Sequence, residues 1–308
     1  MAAAKIRIIC GPTAAGKSVL AMELAREYGA AIISADSRQI YKGFDIGTAK
    51  PNASERSAAR HYGIDIVEPG ERYSAARWGD DARGWIEDAN RLGTRPIVVG
   101  GTGLYVKSLV QPLFPAPPLD AVRRAELERE LASKSVAELR RWCRELDASR
   151  AHLGRTQLLR ALETAILSGS RVSDLHAAHN SREESGGNRL EPSYLVVDPG
   201  APLATRIESR VDRMIARGWP EEILALSRIT SPDAPAWKAS GYAVMRSHVE
   251  GTVHLSSARE RVIIETRQYA KRQRTWFRHQ LPAAAVTHVN PDDSRAVTLA
   301  REWWERAE

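Results

Sequence analysis

The sequence predicts an α/β fold with a mostly parallel sheet and a small helical insertion. Short apolar runs alternate with helical patterns, which is typical of parallel strands covered on both faces. The first of these runs ends in a glycine-rich loop that opens a helix, and a charged helical stretch interrupts the pattern midway. At 308 residues the chain is long enough to bury a substantial core without disulfides or a structural metal.

Four short apolar runs are predicted to be buried strands. They cover residues 5–10, 31–34, 96–99 and 194–197. Residues 18–28 follow the first run with an apolar helical face, which gives a strand, a loop and a helix in that order. Near the end, Trp303 and Trp304 predict a further helix whose adjacent rings suit packing better than RNA stacking.

The helical insertion begins after a proline-rich connector, QPLFPAPPLD, at residues 111–120. Beyond it, Val136, Leu139, Cys143 and Leu146 recur at helical spacing. The run SREESGGN at 181–188 predicts an exposed, mobile loop. We therefore expect a catalytic core in two parts, 1–114 and 191–308, interrupted by a helical domain at 115–190.

Composition excludes some classes of protein and leaves others open. Cys10 and Cys143 lie far apart without CxxC spacing, which supports neither a disulfide framework nor a zinc site. No apolar run approaches a bilayer span and no cleavable signal is apparent, so we expect no membrane partner and a reduced, cytoplasmic setting. The excess of 45 Lys and Arg over 38 Asp and Glu suits a polyanionic partner, although genome bias also produces arginine-rich chains.

A phosphate-binding loop is the most specific motif. The sequence GPTAAGKS fits GxxxxGK[ST] and lies between a strand and a helix, as a P-loop NTPase-like core requires. The glycines let backbone N–H groups turn inward, the lysine adds a full positive charge, and the serine hydroxyl can reach Mg²⁺. The candidate diphosphate-binding residues are Gly11, Pro12, Thr13, Ala14, Ala15, Gly16, Lys17 and Ser18, with Ser18 also the candidate metal ligand.

The loop alone does not specify the substrate, because an ATP-dependent kinase, a nucleotide-powered machine and a diphosphate-releasing transferase would all use it. The third predicted strand runs into Gly100-Gly101-Thr102-Gly103 instead of an acidic residue, which argues against ordinary nucleotide hydrolysis. Asp198 is either the acidic residue of such a site or a turn residue before Pro199. A non-catalytic RNA-binding module whose loop merely holds an anion is a further alternative.

Two helices carry basic stripes at spacings of three and four residues. The first stripe is Arg206, Arg210, Arg213 and Arg217, of which we expect at least one to face the diphosphate. The second is Arg267, Lys271, Arg274 and Arg278, beside an apolar side formed by Ile263, Ala270 and Phe277. Like charges in a row suit a phosphate backbone, whereas a solvated helix surface is the simpler interpretation.

Three further segments, at residues 34–51, 100–105 and 266–278, complete the pattern begun by the loop. Together the four motifs resemble the tRNA dimethylallyltransferases, also called tRNA isopentenyltransferases, from about residue 5 to residue 280. The resemblance implies Mg²⁺-assisted transfer of a dimethylallyl group from its diphosphate to N6 of the adenosine adjacent to the anticodon. No zinc finger follows the core, so the chain resembles the shorter bacterial form.

The resemblance also implies catalytic roles. Asp36 matches the family's catalytic aspartate, a carboxylate that would accept the amine proton as the new bond forms. Thr13 matches a threonine placed at the leaving oxygen of the diphosphate. Arg210 matches an arginine directed at the same diphosphate, where its planar fork meets two oxygens.

The resemblance implies contacts with the tRNA anticodon stem-loop at several places. We also expect the protein to be a monomer. The family match supports the second basic stripe, Arg267, Lys271, Arg274 and Arg278, as phosphate contacts. The remaining implied contacts are Asp36, Ser37, Arg38, Gln39, Thr102, Arg123, Thr156, Gln157, Leu158, Leu159 and Arg160. Ahead of residue 156 this chain reads His152-Leu153-Gly154-Arg155, which lacks the Asn and Asp of the family pattern.

Overall fold

A six-stranded sheet forms the centre of the core, with strand order β3-β2-β4-β1-β5-β6. Every strand pairing described is parallel. The strands are β1 (Ala4–Cys10), β2 (Ala30–Ser34), β3 (His61–Tyr62), β4 (Arg95–Gly100), β5 (Leu190–Val197) and β6 (Val286–Val289). The four predicted strands are confirmed as the four central ones. The edge strands β3 and β6 were not predicted, because they are short and only partly buried.

Helices cover both faces of this sheet. They are α1 (Lys17–Tyr28), α2 (Ala53–Ala58), α3 (Ala75–Arg91) and α4 (Gly103–Val110), then, after the insertion, α9 (Leu203–Ala216), α10 (Trp219–Ile229), α11 (Tyr242–Val249), α12 (Leu255–Gln280) and α13 (Ala296–Arg306). On one face α1 packs with α13, and the predicted packing role of Trp303 and Trp304 is confirmed, since both rings are buried there. The larger apolar core fills the other face.

The strand register brings three loops to one edge of the sheet. Cys10, the last residue of β1, pairs with Gly100 at the end of β4, and Ser34 of β2 pairs with Val99. Because parallel strands end at the same edge, the segments that follow them lie side by side. The phosphate-binding loop, the segment beginning at Asp36 and the Gly100–Gly101 tip therefore meet at this edge.

The computed structural model describes residues 4–111, 113, 117, 119–183 and 190–306. The chain divides into two units, residues 1–112 with 189–308 and residues 113–188. These boundaries lie within two residues of the predicted ones. Among the described residues, no helix is both long enough and apolar enough to cross a bilayer.

The second unit is helical, with α5 (Ala121–Ala132), α6 (Val136–Leu146), α7 (Arg155–Ser168) and α8 (Val172–Glu183). The helix predicted from Val136, Leu139, Cys143 and Leu146 is confirmed as α6. The loop predicted at 181–188 is wrong for its first three residues, which end α8, and its remainder lies outside the described residues. Half of the proline-rich connector also lies outside them.

Candidate active site

The phosphate-binding loop has the backbone conformation that its glycines predict. Gly11 has a φ of +142°, and a Cβ atom there would come within 2.2 Å of the Val197 carbonyl oxygen, so no larger residue fits. Ala14 takes a left-handed φ of 61°, an uncommon conformation for a residue with a side chain. The Lys17 ammonium donates to the Pro12 carbonyl oxygen at 2.7 Å and so curls over its own loop.

Two cations at the loop lie in an environment that disfavours their charge. Burial, together with the neighbouring Arg210 guanidinium, lowers the pKa of Lys17 to about 8. Burial also lowers the pKa of Arg210, which the Asp36 carboxylate partly opposes. A bound anion would relieve both effects, because opposite charge stabilises the protonated forms. The site is therefore built to receive negative charge.

Asp36 lies two residues beyond the end of β2, beside the phosphate-binding loop. Its Oδ1 accepts the Arg38 backbone N–H at 2.8 Å, which fixes the side chain within a tight turn. No helix begins after Asp36, so it does not cap one. Its other oxygen has no hydrogen bond among the described residues.

Two adjoining spaces meet at the loop. An open cleft of about 480 Å³ extends along the phosphate-binding loop, and a smaller cavity of about 60 Å³ lies deeper, against Val211, Trp219 and Val262. The cleft is polar and cationic, whereas much of the cavity wall is apolar. The residues that line both spaces are Thr13, Asp36, Thr48, Arg210, Met214 and Tyr269. All three predicted catalytic residues belong to this shared set.

The double glycine at the end of β4 serves protein contacts. In the structure a Cβ atom at Gly100 would meet the Ala35 carbonyl oxygen at 2.1 Å, and one at Gly101 would meet the Gln273 amide nitrogen at 2.3 Å. Protein atoms therefore occupy the space that the missing side chains leave.

The predicted tRNA-contacting wall is held together by its own hydrogen bonds. The Thr102 hydroxyl oxygen accepts the Ser37 backbone N–H at 3.1 Å, and the hydroxyl donates to Ser37 Oγ at 3.4 Å. The Gln39 amide is engaged at both ends, by Ser34 Oγ and by the Thr48 and Ala49 carbonyl oxygens. Gln39 therefore orders the wall, and its amide is not free for a base.

A buried lysine ties the segment after Asp36 to the core. The side chain of Lys50 is 1% exposed, and its ammonium contacts Asp45 Oδ1 at 2.6 Å and Asp65 Oδ1 at 2.5 Å. It also donates to the Tyr41 carbonyl oxygen at 2.5 Å. A buried ammonium needs such partners, since its desolvation is costly. Lys50 thus fixes the loop that carries Asp36 and Thr48.

The arginines of α9 face the cleft. Arg206, Arg210, Arg213 and Arg217 all line it. That at least one of them faces a diphosphate stays a prediction. Arg206 also contacts Asp292. The side chains of Arg206 and Arg210 are half-buried, whereas those of Arg213 and Arg217 are exposed.

The basic stripe of α12 is not uniformly available. Arg274 makes a bidentate contact with Asp198, at 2.8 and 2.5 Å, and Arg267 pairs with Glu208. Lys271 and Arg278 are exposed and have no ion pair among the described residues. The Gly200 backbone N–H also donates to Asp198 at 2.9 Å, so the turn interpretation of Asp198 fits better than an acidic nucleotide-site residue.

In the second unit, the predicted tRNA contacts have mixed exposure. Arg123, Thr156, Gln157 and Arg160 are exposed, and Leu159 packs partly against the helical core. The prediction that the side chain of Leu158 contacts tRNA is wrong, because that side chain is fully buried. Gln157 accepts the Gly154 backbone N–H at 3.1 Å and so caps α7.

Arg155 lies directly after residues 152–154, where the chain departs from the family pattern. Its guanidinium donates to the carbonyl oxygens of Leu131, Ala132 and Lys134 at the end of α5. The cation therefore satisfies a helix C-terminus inside the same unit.

Sequence reasoning missed several site residues, among them Tyr269 and Gln273. Tyr269 lines both spaces, and Gln273 is 6% exposed beside the loop. The sequence contained a signal for Gln273. Together with Thr266, it lies on the core-facing stripe of α12 that also contains Ala270 and Phe277. A glutamine at a core position requires hydrogen-bond partners and thereby points to a specific contact.

No group of three or more His, Cys, Asp or Glu side chains able to hold a metal occurs in the part of the chain that the structure describes. A hard cation held mainly by substrate phosphates does not need one. Ser18 is exposed at the start of α1 and lines the cleft, where its hydroxyl can act as a single protein ligand. The residues present therefore fit a magnesium ion bridged to a diphosphate.

Comparison with known proteins agrees with this geometry. The family model described as IPP transferase matches residues 39–280, and that described as isopentenyl transferase matches residues 4–65. A tRNA dimethylallyltransferase of Cyanothece sp. is 38% identical over 295 residues, 94% of this chain and 93% of that protein. That of Geobacter sulfurreducens is 41% identical over 279 residues, 89% of each.

A solved structure extends the likeness to the fold. The tRNA delta(2)-isopentenylpyrophosphate transferase of Staphylococcus epidermidis superposes with a TM-score of 0.67 at 28% identity, over 98% of both chains. The predicted P-loop NTPase-like core is thereby confirmed. Since the family models and these relatives cover most of the chain, it belongs to the tRNA dimethylallyltransferase family.

Proposed function

We propose that this protein transfers a dimethylallyl group from dimethylallyl diphosphate to N6 of the adenosine adjacent to the anticodon of a tRNA, releasing diphosphate. The observation that carries the proposal is the shared set of residues at the loop. Thr13, Asp36 and Arg210 line both the cationic cleft and the deeper cavity, so a leaving diphosphate and an attacking amine can meet between them.

The cleft supplies the anion site. Backbone N–H groups of the loop, the Lys17 ammonium and the Arg210 fork provide fixed positive charge for the diphosphate. The Thr13 hydroxyl donates to the oxygen that links the diphosphate to the allylic carbon. As that C–O bond breaks, the diphosphate departs with the electron pair, and preformed donors stabilise its growing charge without reorganisation.

Asp36 acts on the nucleophile. The exocyclic amine of adenine is a weak nucleophile, and a carboxylate that accepts its hydrogen bond directs the nitrogen lone pair at the allylic carbon. When the N6–C bond forms, the amine gives one proton to Asp36. The Arg38 backbone N–H holds Oδ1, which leaves Oδ2 for this contact.

Mg²⁺ is the proposed cofactor and would neutralise part of the diphosphate charge when bound. Ser18 is its one proposed protein ligand, and phosphate oxygens and water would complete the shell.

The proposed tRNA contacts lie on both units. In the core they are Ser37, Arg38 and Thr102 near the reacting base, with Lys271 and Arg278 of α12 at the phosphates, because these two cations are exposed. In the second unit the exposed residues Arg123, Thr156 and Arg160 would contact the anticodon arm. We propose that the protein works as a cytoplasmic monomer.

The reaction is tested by incubating the protein with dimethylallyl diphosphate, Mg²⁺ and unmodified tRNA, followed by mass spectrometry of the digested nucleosides. We expect one dimethylallyl group on the adenosine beside the anticodon, and no phosphoryl transfer when ATP replaces the prenyl donor. An absence of mass gain on every adenosine-bearing anticodon arm would refute the proposal.

Two aspartates at the same sheet edge provide a matched comparison. Asp36→Asn should reduce turnover about 10²- to 10⁴-fold while donor and tRNA binding persist, because only the proton acceptor is lost. Asp198→Asn should have a far smaller effect, since Asp198 is engaged by Arg274 and its own turn. Equal losses in the two variants would contradict the assignment of Asp36 as the base.

A further inference from the structure

Gln273 joins three separate segments of the site through one side chain. Its Oε1 accepts the Thr13 backbone N–H at 2.8 Å, and its Nε2 donates to the Gly101 carbonyl oxygen at 2.8 Å. Thr13 belongs to the phosphate-binding loop, Gly101 to the tip of β4, and Gln273 itself to α12. Both bonds span more than 170 residues of sequence, so no local structure provides them.

The chemistry of these two contacts requires an amide. One end of the side chain must accept a hydrogen bond and the other must donate one, which glutamine does and neither glutamate nor methionine can. Gly101 is matched to this arrangement, because a Cβ atom there would lie 2.3 Å from Nε2. Since Gln273 is 6% exposed, water does not readily replace a lost bond.

The segment that Gln273 holds needs an external restraint. Thr13 directly precedes Ala14, whose φ of 61° is uncommon for a residue with a side chain. Such conformations persist where surrounding contacts over-determine them, and they occur at functional sites. The bond from the Thr13 N–H to Gln273 fixes the Pro12–Thr13 peptide unit, one residue before Ala14.

We propose that Gln273 is a positioning residue, which fixes the Thr13 peptide so that the Thr13 hydroxyl is presented to the leaving oxygen of the donor. This inference rests on the proposed prenyl transfer. Gln273 acts through Thr13 and touches no reacting atom. Its place on α12, the helix that also carries Lys271, makes the loop geometry depend on the same helix that meets the RNA in the proposed complex.

The decisive experiment is a double-mutant cycle between Gln273→Met and Thr13→Ala, measured as single-turnover prenylation with saturating donor and tRNA. Gln273→Met preserves length and removes both hydrogen bonds. We expect it to slow the chemical step about 10- to 100-fold, as small misplacements of a catalytic group do. In the Thr13→Ala background the same change should cost less than about twofold, because its target is already absent.

Gly101→Ala is an independent perturbation that leaves Gln273 in place. Its new methyl group would displace the flexible end of the Gln273 side chain, so the fold should persist while the Thr13 contact is lost. We expect a loss of rate that again disappears in the Thr13→Ala background. Gln280→Met, at the exposed end of α12, is the matched control and should leave the rate and the melting temperature unchanged.

A purely structural role for Gln273 predicts a different result. Losses that multiply with Thr13→Ala, or that follow the fraction of unfolded protein at the assay temperature, would overturn the inference. So would full activity of Gln273→Met or Gly101→Ala beside an active wild-type enzyme. If the wild-type protein itself transfers no prenyl group, the proposed function fails instead, and the two failures are thereby distinguished.

Discussion

Helices α9 and α12 carry the same pattern of four cations, yet they place them differently. The three arginines of α9, Arg206, Arg210 and Arg213, and its C-cap residue Arg217 all line the cleft at the phosphate-binding loop. On α12, Arg267 and Arg274 are held in ion pairs with Glu208 and Asp198, whereas Lys271 and Arg278 face solvent. Equal spacing in the sequence therefore leads to one stripe that lines the cleft and one that ion pairs with the core partly neutralise.

The difference arises from the acidic residues between the helices. Glu208 and Asp212 of α9 pair with Arg267 and Arg259 of α12, so the acidic side of α9 faces its neighbour. The arginines of α9 then lie on the side toward the cleft. Periodicity predicts which residues share a helix face, but the partner elements decide what that face meets.

Among the cations of the two helices, the largest effect is expected at the inner cation of α9, Arg210. Arg210→Leu should lower kcat/KM for the donor about 10²- to 10³-fold, because one fixed donor to the developing diphosphate charge is lost. The affinity for tRNA should be unchanged. Steady-state prenylation at varied donor concentration, together with tRNA binding, measures both quantities.

Arg274→Leu on α12 is the matched change for Arg210→Leu. It should lower kcat/KM for the donor much less, because Arg274 contacts Asp198 and Gly200 and does not line the cleft. An equal loss of donor kcat/KM in both variants would abolish the distinction between the two helices.

The next effect is a pH dependence of donor binding, which we expect from Lys17 of the phosphate-binding loop and not from the cations of α12. Below about pH 8 Lys17 is protonated in the free protein, and above that pH it loses its charge because burial lowers its pKa. A diphosphate binds the protonated form, so its Kd should rise about tenfold per pH unit above this point. Titration calorimetry with dimethylallyl diphosphate across this range measures the slope.

Lys17→Met supplies the control for the pH dependence. Its donor affinity should be weaker overall and nearly independent of pH in the same range. Binding of tRNA to the wild-type protein should show no break near pH 8, because Lys271 and Arg278 are exposed. Donor binding that stays constant through the titration of Lys17 would contradict its role at the diphosphate.

Much of this site was predictable from the sequence, and the limits have physical causes. The GPTAAGKS motif fixes loop, strand and helix because phosphate binding needs that backbone path, and the central strands follow from their apolar runs. The hydrogen bonds of Gln273 and the burial of Leu158 depend on segments distant in the sequence. Neither composition nor spacing encodes those partners, and the edge strands β3 and β6 are too short to show a pattern.

A smaller effect concerns the salt dependence of tRNA binding. Lys271→Ala and Arg278→Ala should each reduce the slope of log K against log salt concentration by about one, as loss of a phosphate contact does. Arg267→Ala and Arg274→Ala should reduce it less, because their charges are already paired. Binding isotherms at several salt concentrations measure this slope. An equal reduction of the slope by Arg274→Ala would mean that the ion pair between Arg274 and Asp198 breaks when RNA binds.

The smallest effect is expected from the ion pair between Arg267 of α12 and Glu208 of α9. The side chains of Arg267 and Glu208 are 44% and 41% exposed, so solvent screens their attraction. A cycle of Arg267→Gln, Glu208→Gln and the double variant, measured by urea unfolding, should give a coupling of about 0.2–1 kcal/mol that shrinks as salt is added. A larger, salt-insensitive coupling would indicate that this pair fixes α9 against α12. In that case donor kcat/KM should also fall in Glu208→Gln, because the arginines of α9 would lose their orientation toward the cleft.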